Sequence, residues 1–432
     1  MAIKIVAWSS RKSVQQVENF LTRPAFAPEA ERSAAEVLAE IRKHGDAAVL
    51  AAVQRFDNVK LKRAEILVSA KELQVAEKQV TAKVRRALKE AHARVRDFAH
   101  KGLRASWYMA TPGGGYTGEC FSPMERVGVY VPGGTAPLAS TAIMTVTLAK
   151  VAGVREIVAC TPCCKDKSVN PVLLTALKYA GVTEIYKVGG IQAIGMLAWG
   201  TQSVRPVQKI VGPGNAYVTA AKRQVYGYVG IDQVAGPSEI AILADAGAEP
   251  AWVAADLLSQ AEHGSGHERS LLVTDSRALA QAVVAQIQAQ TPALSRAALV
   301  ERVIAAGGIL VVVVPSLKQG MELVNRFAPE HFEIMTQSPR LLLNQVRAAG
   351  AVFIGAWTPE SAGDFIAGPS HVLPTGGAAR MFSGLTADDF RRRHSFVEFT
   401  QEDLIKTRVA IETLAEVEGL DAHGRSVSIR FD

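Results

Sequence analysis

Apolar positions along this chain follow two rhythms: some recur at helical spacing, and others cluster in short unbroken runs. From Pro28 to Phe56 the residues Ala34, Val37, Leu38, Ile41, Val49, Leu50 and Val53 keep the helical period. A second helical stretch, rich in Lys, Glu, Ala and Arg, spans Ala70 to Ala99, and Gly113-Gly114-Gly115 breaks it off. The region before that break is predicted to be mostly helical, behind a short leader over residues 1–25, and carries no evident chemistry.

At Arg126 the rhythm changes. Val127-Gly128-Val129-Tyr130-Val131 reads as a strand running into the turn Pro132-Gly133-Gly134. Strands follow at 156–160, 184–188 and 209–211, and helices near 171–179, 193–199 and 217–225. Strands separated by helices of this length predict βαβ crossovers and a parallel sheet. A second set begins at Ile240, with strands at 240–244, 270–274, 309–314, 332–335 and 352–354. Its helices fall near 250–260, 278–288, 317–326 and 340–346, and beyond residue 386 the pattern returns to helix at 403–418. The expected fold is α/β: two parallel-sheet units, a helical N-terminal region and a C-terminal helical tail. Two strands end in glycine turns, Gly189-Gly190 and Gly212-Pro213-Gly214-Asn215. Such turns let a ligand approach backbone amides at the carboxyl edge of a parallel sheet. No Gly-x-Gly-x-x-Gly follows any strand, so the usual dinucleotide fingerprint is absent.

Composition narrows the field. At 432 residues and 48% hydrophobic content, the chain has the length for two domains or more. The apolar run Ile309–Val314 is far too short to span a bilayer, and Met1 to Lys12 lacks a signal-peptide core, so the cytoplasm is the expected location. The net charge of +7 suits an anionic ligand such as a dinucleotide. The basic clusters at Lys83–Arg86 and Arg391–Arg393 lack interleaved aromatics, which argues against a nucleic-acid partner. Four cysteines in a chain of this length suggest no disulfide framework. The group Cys160-Thr161-Pro162-Cys163-Cys164 has no histidine nearby, so a soft-metal site there is disfavoured.

Candidate chemistry concentrates between Ile231 and His263. There Ala235-Gly236-Pro237-Ser238 makes a turn, a strand follows, and a helix after Pro250 ends in Ser259-Gln260-Ala261-Glu262-His263. Residues three apart on a helix lie within roughly 60° of each other, so Gln260 and His263 share a face. An amide oxygen and an imidazole presented together look like half a metal site, although such a pair alone is more often a polar helix terminus. Of the nine histidines, His44, His92, His100, His267 and His394 sit in polar or charged contexts. The others are distinctive. Glu330-His331 stands at a loop-to-strand junction, where a carboxylate beside an imidazole offers a proton acceptor. Asp364 and His371 lie in a Gly/Pro-rich segment that reads as a loop, and Glu418 and His423 lie near the C-terminus. Gln260, His263, Asp364 and His423 form a donor set that a borderline cation such as zinc accepts, but spacing alone does not bring the four together.

These segments closely resemble the signature of the histidinol dehydrogenase family. The resemblance runs from about residue 30 to 425 through RVGVYVPGG (126–134), KVAGV (150–154), VGGIQAI (188–194), KIVGPGN (209–215), IDQVAGPSE (231–239), SQAEH (259–263), APEH (328–331), SAGD (361–364), HVLPT (371–375) and EGLDAH (418–423). It implies two Rossmann-like, doubly wound parallel-sheet domains. The first is formed by residues 26–129 and 238–385, and residues 130–237 are an inserted NAD-binding domain. Residues 386–432 are implied to be a dimerisation tail. It implies zinc, one ion per subunit, on Gln260, His263, Asp364 and the other subunit's copy of His423. His331 is implied as general base and Glu330 as the residue that activates water. Ser238, His371 and Glu418 are implied substrate contacts, along with the four zinc ligands and His331, and Tyr130, Gln192 and Asn215 are implied NAD contacts.

The implied reaction is the oxidation of L-histidinol to L-histidine with two NAD in sequence, in a homodimer, at the end of histidine biosynthesis. The chain departs from the family pattern at Ser370, at Cys163-Cys164 and across 100–121. Relatives on this scaffold oxidise other polar alcohols, including sulfonated diols. That is the alternative activity.

Overall fold

The unbroken apolar runs form parallel strands and the periodic stretches form the helices between them, in a computed structural model that describes residues 3–22, 27–133, 138–263 and 265–432. Gly134 of the Pro132-Gly133-Gly134 turn therefore lies outside the described residues, as do residues 23–25 of the leader. In chain order the strands are β1 (Ile5–Ala7), β2 (Trp107–Ala110), β3 (Tyr116–Pro123), β4 (Arg126–Tyr130), β5 (Glu156–Cys160), β6 (Glu184–Tyr186), β7 (Lys209–Val211), β8 (Gly230–Ile231), β9 (Glu239–Ala244), β10 (Arg269–Thr274), β11 (Ile309–Val313), β12 (His331–Met335), β13 (Ala351–Ile354) and β14 (Arg391–Glu398). Every residue of β4, β9 and β12 is buried, as expected of central parallel strands covered on both faces.

Two sheets are wholly parallel. One has the order β6-β5-β4-β7-β8 and the other β1-β11-β10-β9-β12-β13. In each, the direction of winding reverses once, between β4 and β7 and between β9 and β12, which is the doubly wound arrangement. Helices Pro171–Ala180, Gly190–Trp199 and Ala216–Val225 flank the first sheet, and Pro250–Ala261, Arg277–Gln290 and Leu317–Phe327 the second.

The helices start and stop where local chemistry tells them to. Asn170 caps Pro171–Ala180 by accepting from the Val172 N–H at 2.9 Å, and Gly181 closes it in the left-handed region at φ 97°. Helix Ala82–Gly102 is amphipathic, burying Leu88, Ala91, Val95 and Ala99 at helical spacing.

Three features of the packing stand out. Helices Pro28–His44, Asp46–Asp57 and Ala82–Gly102 bury their apolar stripes with residues of the five-stranded sheet, such as Val127, Ile157, Val158 and Ile210. The leader contributes β1, an edge strand parallel to β11, because Ile5-Val6-Ala7 is apolar enough to extend the sheet. The tail opens with a strand rather than a helix: β14 pairs antiparallel with β3, which pairs with β2. The basic run of β14 is mostly exposed and lacks the alternation that would have announced it.

Asp403 fastens the tail to this small sheet. Its carboxylate accepts from Thr111 Oγ1 at 2.7 Å, from the Gly113 and Gly115 amides at 2.6 and 3.0 Å, and from the Thr400 amide and hydroxyl, both at 3.1 Å. Burial works against the charge, but these donors outweigh it and hold the carboxyl at about 2, below the ordinary carboxylate value. A depressed folded pKa gives stability that is complete above pH ~4 and lost as pH falls toward 2. Asp403→Asn is expected to lower the Tm at pH 7, and the wild-type and variant Tm values to converge between pH ~4 and 2. A Tm–pH series that keeps a constant gap would remove this role from Asp403.

Candidate active site and metal centre

Two sheet edges meet at the site. The loop from Asp232 to Ser238 leaves the carboxyl end of β8 and enters the amino end of β9, so the carboxyl edge of the five-stranded sheet is joined to the amino edge of the six-stranded one. At the first edge, the reversal between β4 and β7 opens the crevice where doubly wound sheets bind ligands.

Tyr130 ends β4 and is buried. Its hydroxyl accepts from the Gly190 N–H at 3.2 Å, and burial pushes the phenol up to about 12. Gln192 lies in the first turn of helix Gly190–Trp199 and donates to Asp57 Oδ2 at 3.2 Å. Asn215 caps helix Ala216–Val225, its Oδ1 accepting from the amides of Tyr217 and Val218, both at 3.1 Å. The intervening turn needs glycine at 212, where φ is 118° and a Cβ would lie 2.1 Å from Tyr130 O. A buried ion pair fixes that turn. Lys222 Nζ bonds both Asp232 and Gly212 O (2.9 Å), while Asp232 Oδ2 accepts from the Gly212 N–H at 2.7 Å.

At the second edge His331 is the first residue of β12, opposite Ile240 of β9. Its Nδ1 lies 2.8 Å from Gln260 Oε1 and its Nε2 lies 3.4 Å from Asp364 Oδ1. An amide oxygen only accepts, so Nδ1 carries the hydrogen and Nε2 keeps the lone pair in the neutral ring. Glu330 accepts from the Glu239 N–H at 3.0 Å, and its Oε2 is 3.9 Å from His331 Nδ1. Burial pushes Glu330 up to about 8, with the charges of Asp364 and Glu239 adding to the rise and that of His331 opposing it. His331 is pushed the other way by burial, but Glu330, Asp364 and Glu360 raise it to about 10. The two groups titrate together. The upward direction at Glu330 follows most directly from its enclosure, and a proton there removes part of the charge that raises His331.

Asp364 is carried on a short helix, Glu360–Phe365, in the segment expected to be a loop. Burial would raise its pKa, but His331, His371 and His263 bring it down to about 2, so it is ionised. His371 Nδ1 is 3.0 Å from Asp364 O, and its Nε2 is 3.1 Å from Thr141 Oγ1. Burial holds this imidazole below its ordinary value. Ser238 is half-buried immediately before Glu239, its carbonyl accepting from the Arg269 N–H at 3.2 Å.

The residues that could hold a metal converge. His263, Glu360 and Asp364 each offer a ligand atom within 4.8 Å of the others. Gln260, fully buried beside them, has an Nε2 with no hydrogen-bond partner among the described residues. An imidazole, two carboxylates and an amide oxygen suit a divalent cation of borderline hardness. The cysteine group is not part of this cluster, and all four cysteines are free. His423 and Glu418 are exposed on the tail. Among the described residues no hydrogen bond or ion pair joins either to Gln260, His263, Asp364 or His371.

The family model described as histidinol dehydrogenase matches residues 22–431 of the chain. The chain belongs to the histidinol dehydrogenase family. It is, with that family, an oxidoreductase. It is 43% identical over 400 residues to a histidinol dehydrogenase of Synechococcus sp., covering 93% of this chain and 92% of that one. It is 42% identical over 433 residues to one from Xanthomonas axonopodis pv. citri, covering 99% of each. The crystal structure of histidinol dehydrogenase from Elizabethkingia anophelis superimposes with a TM-score of 0.93 at 34% identity, covering 100% of this chain and 98% of that one.

Beside the residues that the family motifs point to, the structure adds several that sequence reading missed. Glu360 is buried; its carboxylate accepts from Ser259 Oγ at 2.6 Å, and burial with the charge of Asp364 lifts it to about 7. Its backbone N–H donates to Glu333 Oε1 at 2.7 Å, and burial raises Glu333 well above the usual carboxylate range. The spacing of Glu360 and Asp364, four apart, is a helical ligand spacing, but a segment taken for a loop hides it. Glu333 alternates along β12 with the apolar Phe332 and Ile334, where an inward carboxylate looks like an ordinary outward one. Thr141 sits in helix Ala139–Val151, which is buried over Thr141–Ala149 and so has no amphipathic period to reveal it.

Proposed function

We propose that this chain oxidises L-histidinol through L-histidinal to L-histidine, with two equivalents of NAD used in sequence at one zinc-assisted site. The observation that carries the reading is the convergence at His331. Its Nδ1 is engaged by Gln260 and its Nε2 faces Asp364, beside the carboxyl of Glu330 and the His263–Glu360–Asp364 cluster. When bound, NAD at Tyr130, Gln192 and Asn215 accepts a hydride in each half-reaction, while zinc at Gln260, His263 and Asp364 orients the substrate's nitrogen atoms.

The chain's own groups move the protons. With Nδ1 donating to Gln260, His331 accepts the hydroxyl proton at Nε2, returns it to the aldehyde oxygen as water adds, and so is free to accept again when the hydrated aldehyde is oxidised. Glu330 takes a proton from the water that adds to the aldehyde. Glu330 acts here in its ionised form, and a carboxylate whose pKa burial raises is a stronger base than an exposed one. His371 and Ser238 line the substrate side. The aldehyde stays bound between the two oxidations, because both draw on the same base.

The remaining groups come from a second copy. Exposed apolar side chains crowd the tail and the sheet beneath it, among them Val397, Val409, Leu414, Val417, Tyr108 and Met109. This surface supports a homodimer in which each tail delivers Glu418 and His423 to the partner's site. No helix among the described residues is long and apolar enough to cross a membrane, which agrees with a cytoplasmic enzyme.

The alternative, a sulfonated diol or another polar primary alcohol, is disfavoured by the retained Glu418, a carboxylate suited to accept from an imidazole N–H and to repel a sulfonate. The purified protein is expected to show kcat/KM for histidinol at least 100-fold above that for a sulfonated diol, the range one well-placed polar contact gives. The reverse order would keep the chemistry and move the substrate.

A further inference from the structure

Two polar contacts cross from helix Ala139–Val151 to the loop that carries His371. Ser370 Oγ donates to Met144 O at 3.4 Å, and Thr141 Oγ1 lies 3.1 Å from His371 Nε2. Thr141 stands in the first turn of that helix, almost wholly buried, and nothing in the proposed chemistry uses it. Among the described residues its hydroxyl meets no other partner, while Thr145, one turn on, back-bonds to Thr141 O at 2.6 Å.

The other ring nitrogen decides which way the hydrogen points. His371 Nδ1 faces the backbone carbonyl of Asp364 at 3.0 Å, and a carbonyl only accepts. In the neutral ring Nδ1 therefore carries the hydrogen and Nε2 presents a lone pair, so the Thr141 hydroxyl donates to Nε2. A ring held at both nitrogens has one tautomer and one plane.

We infer that Thr141 is a positioning residue that acts through His371, setting the imidazole in the one orientation and tautomer in which the ring meets the bound substrate. The inference rests on the reading of His371 as a substrate contact. It also ties the first turn of the helix after β4, on the dinucleotide side of the cleft, to the substrate side. Thr141 does not touch the reacting carbon, so its loss acts on substrate binding more than on hydride transfer.

Thr141→Val keeps the shape and removes the hydroxyl; Thr141→Ser keeps the hydroxyl and removes the methyl group. With saturating NAD and zinc-loaded enzyme, Thr141→Val is expected to raise KM for L-histidinol about tenfold, the scale of one buried partner lost, with kcat changed less than about threefold. Thr141→Ser is expected to stay within about twofold of wild type. The double variant Thr141→Val/His371→Asn is expected to be no worse than His371→Asn alone, because one residue acts through the other. An unchanged KM in Thr141→Val, beside a raised KM in His371→Asn, overturns the inference and leaves the role of His371 standing. No KM effect in either overturns both. Equal impairment in the Ser and Val variants assigns Thr141 to packing and also overturns it. Should Thr141→Val not fold, Thr141→Ala gives the same comparison with Thr141→Ser.

Discussion

Replacing His331 with asparagine is expected to lower kcat for histidinol by about 10²- to 10⁴-fold, the range a positioned general base supplies. The asparagine amide can still donate to Gln260 Oε1, which His331 Nδ1 meets at 2.8 Å, so the local packing and the orientation of Gln260 survive. What it lacks is a basic nitrogen where Nε2 faces Asp364. His263, Glu360 and Asp364 are untouched, so metal content per subunit should stay at the wild-type value. Steady-state kinetics together with metal analysis of the same preparation check both halves. A kcat within tenfold of wild type, at full metal content, would hand the proton to another group. Histidinal offered as substrate should show a comparable loss, because the proposed base serves both oxidations.

The second large effect concerns the tail. His423→Ala and Asp364→Ala are each expected to abolish turnover as homodimers. Mixed after reversible dissociation, they should recover about a quarter of wild-type activity. Half of the reassorted dimers are hybrids, and a hybrid has one complete site of two: the His423→Ala protomer's own Asp364 with the partner's intact tail. The structure motivates this, because His423 is exposed on helix Asp421–Ser428 while Asp364 is half-buried beside His331, His371 and His263. Heterodimers that form yet recover no activity would return His423 to the status of a tail residue.

Much of the fold was legible because its central strands are short, apolar and separated by amphipathic helices. β4, β5, β9, β10, β11 and β12 lie within a residue or so of the runs that predict them. What the pattern hid has physical causes. Helix Ala139–Val151 is covered on every side, so polar and apolar residues do not alternate along it. β14 is an exposed basic strand that pairs at the surface, and Glu360–Phe365 is too short to show a period.

The candidate residues were legible from their types and sequence contexts, and their grouping only through the family resemblance. The sequence singles out His331, Glu330, Gln260, His263, Asp364 and His371, and the fold brings these six to one place. It could not show that Glu360 joins them, because a carboxylate one turn before Asp364 looks like any helix-start acid. Nor could it show that Thr141, from the other side of the cleft, completes the hydrogen bonding of His371. Both depend on distances between segments far apart in the chain. Glu418 and His423 are the reverse case: clear as motif positions, yet exposed and, among the described residues, joined to the site by no hydrogen bond or ion pair.

The central claim is that one site performs both oxidations without releasing the aldehyde. The most direct measurement is the NADH formed per L-histidinol consumed by zinc-loaded protein, with an aldehyde trap present and before and after chelation. The account predicts two NADH per histidinol, unchanged by the trap, with turnover lost on chelation and restored by zinc. One NADH per histidinol with aldehyde captured by the trap, or turnover indifferent to the chelator, would contradict it.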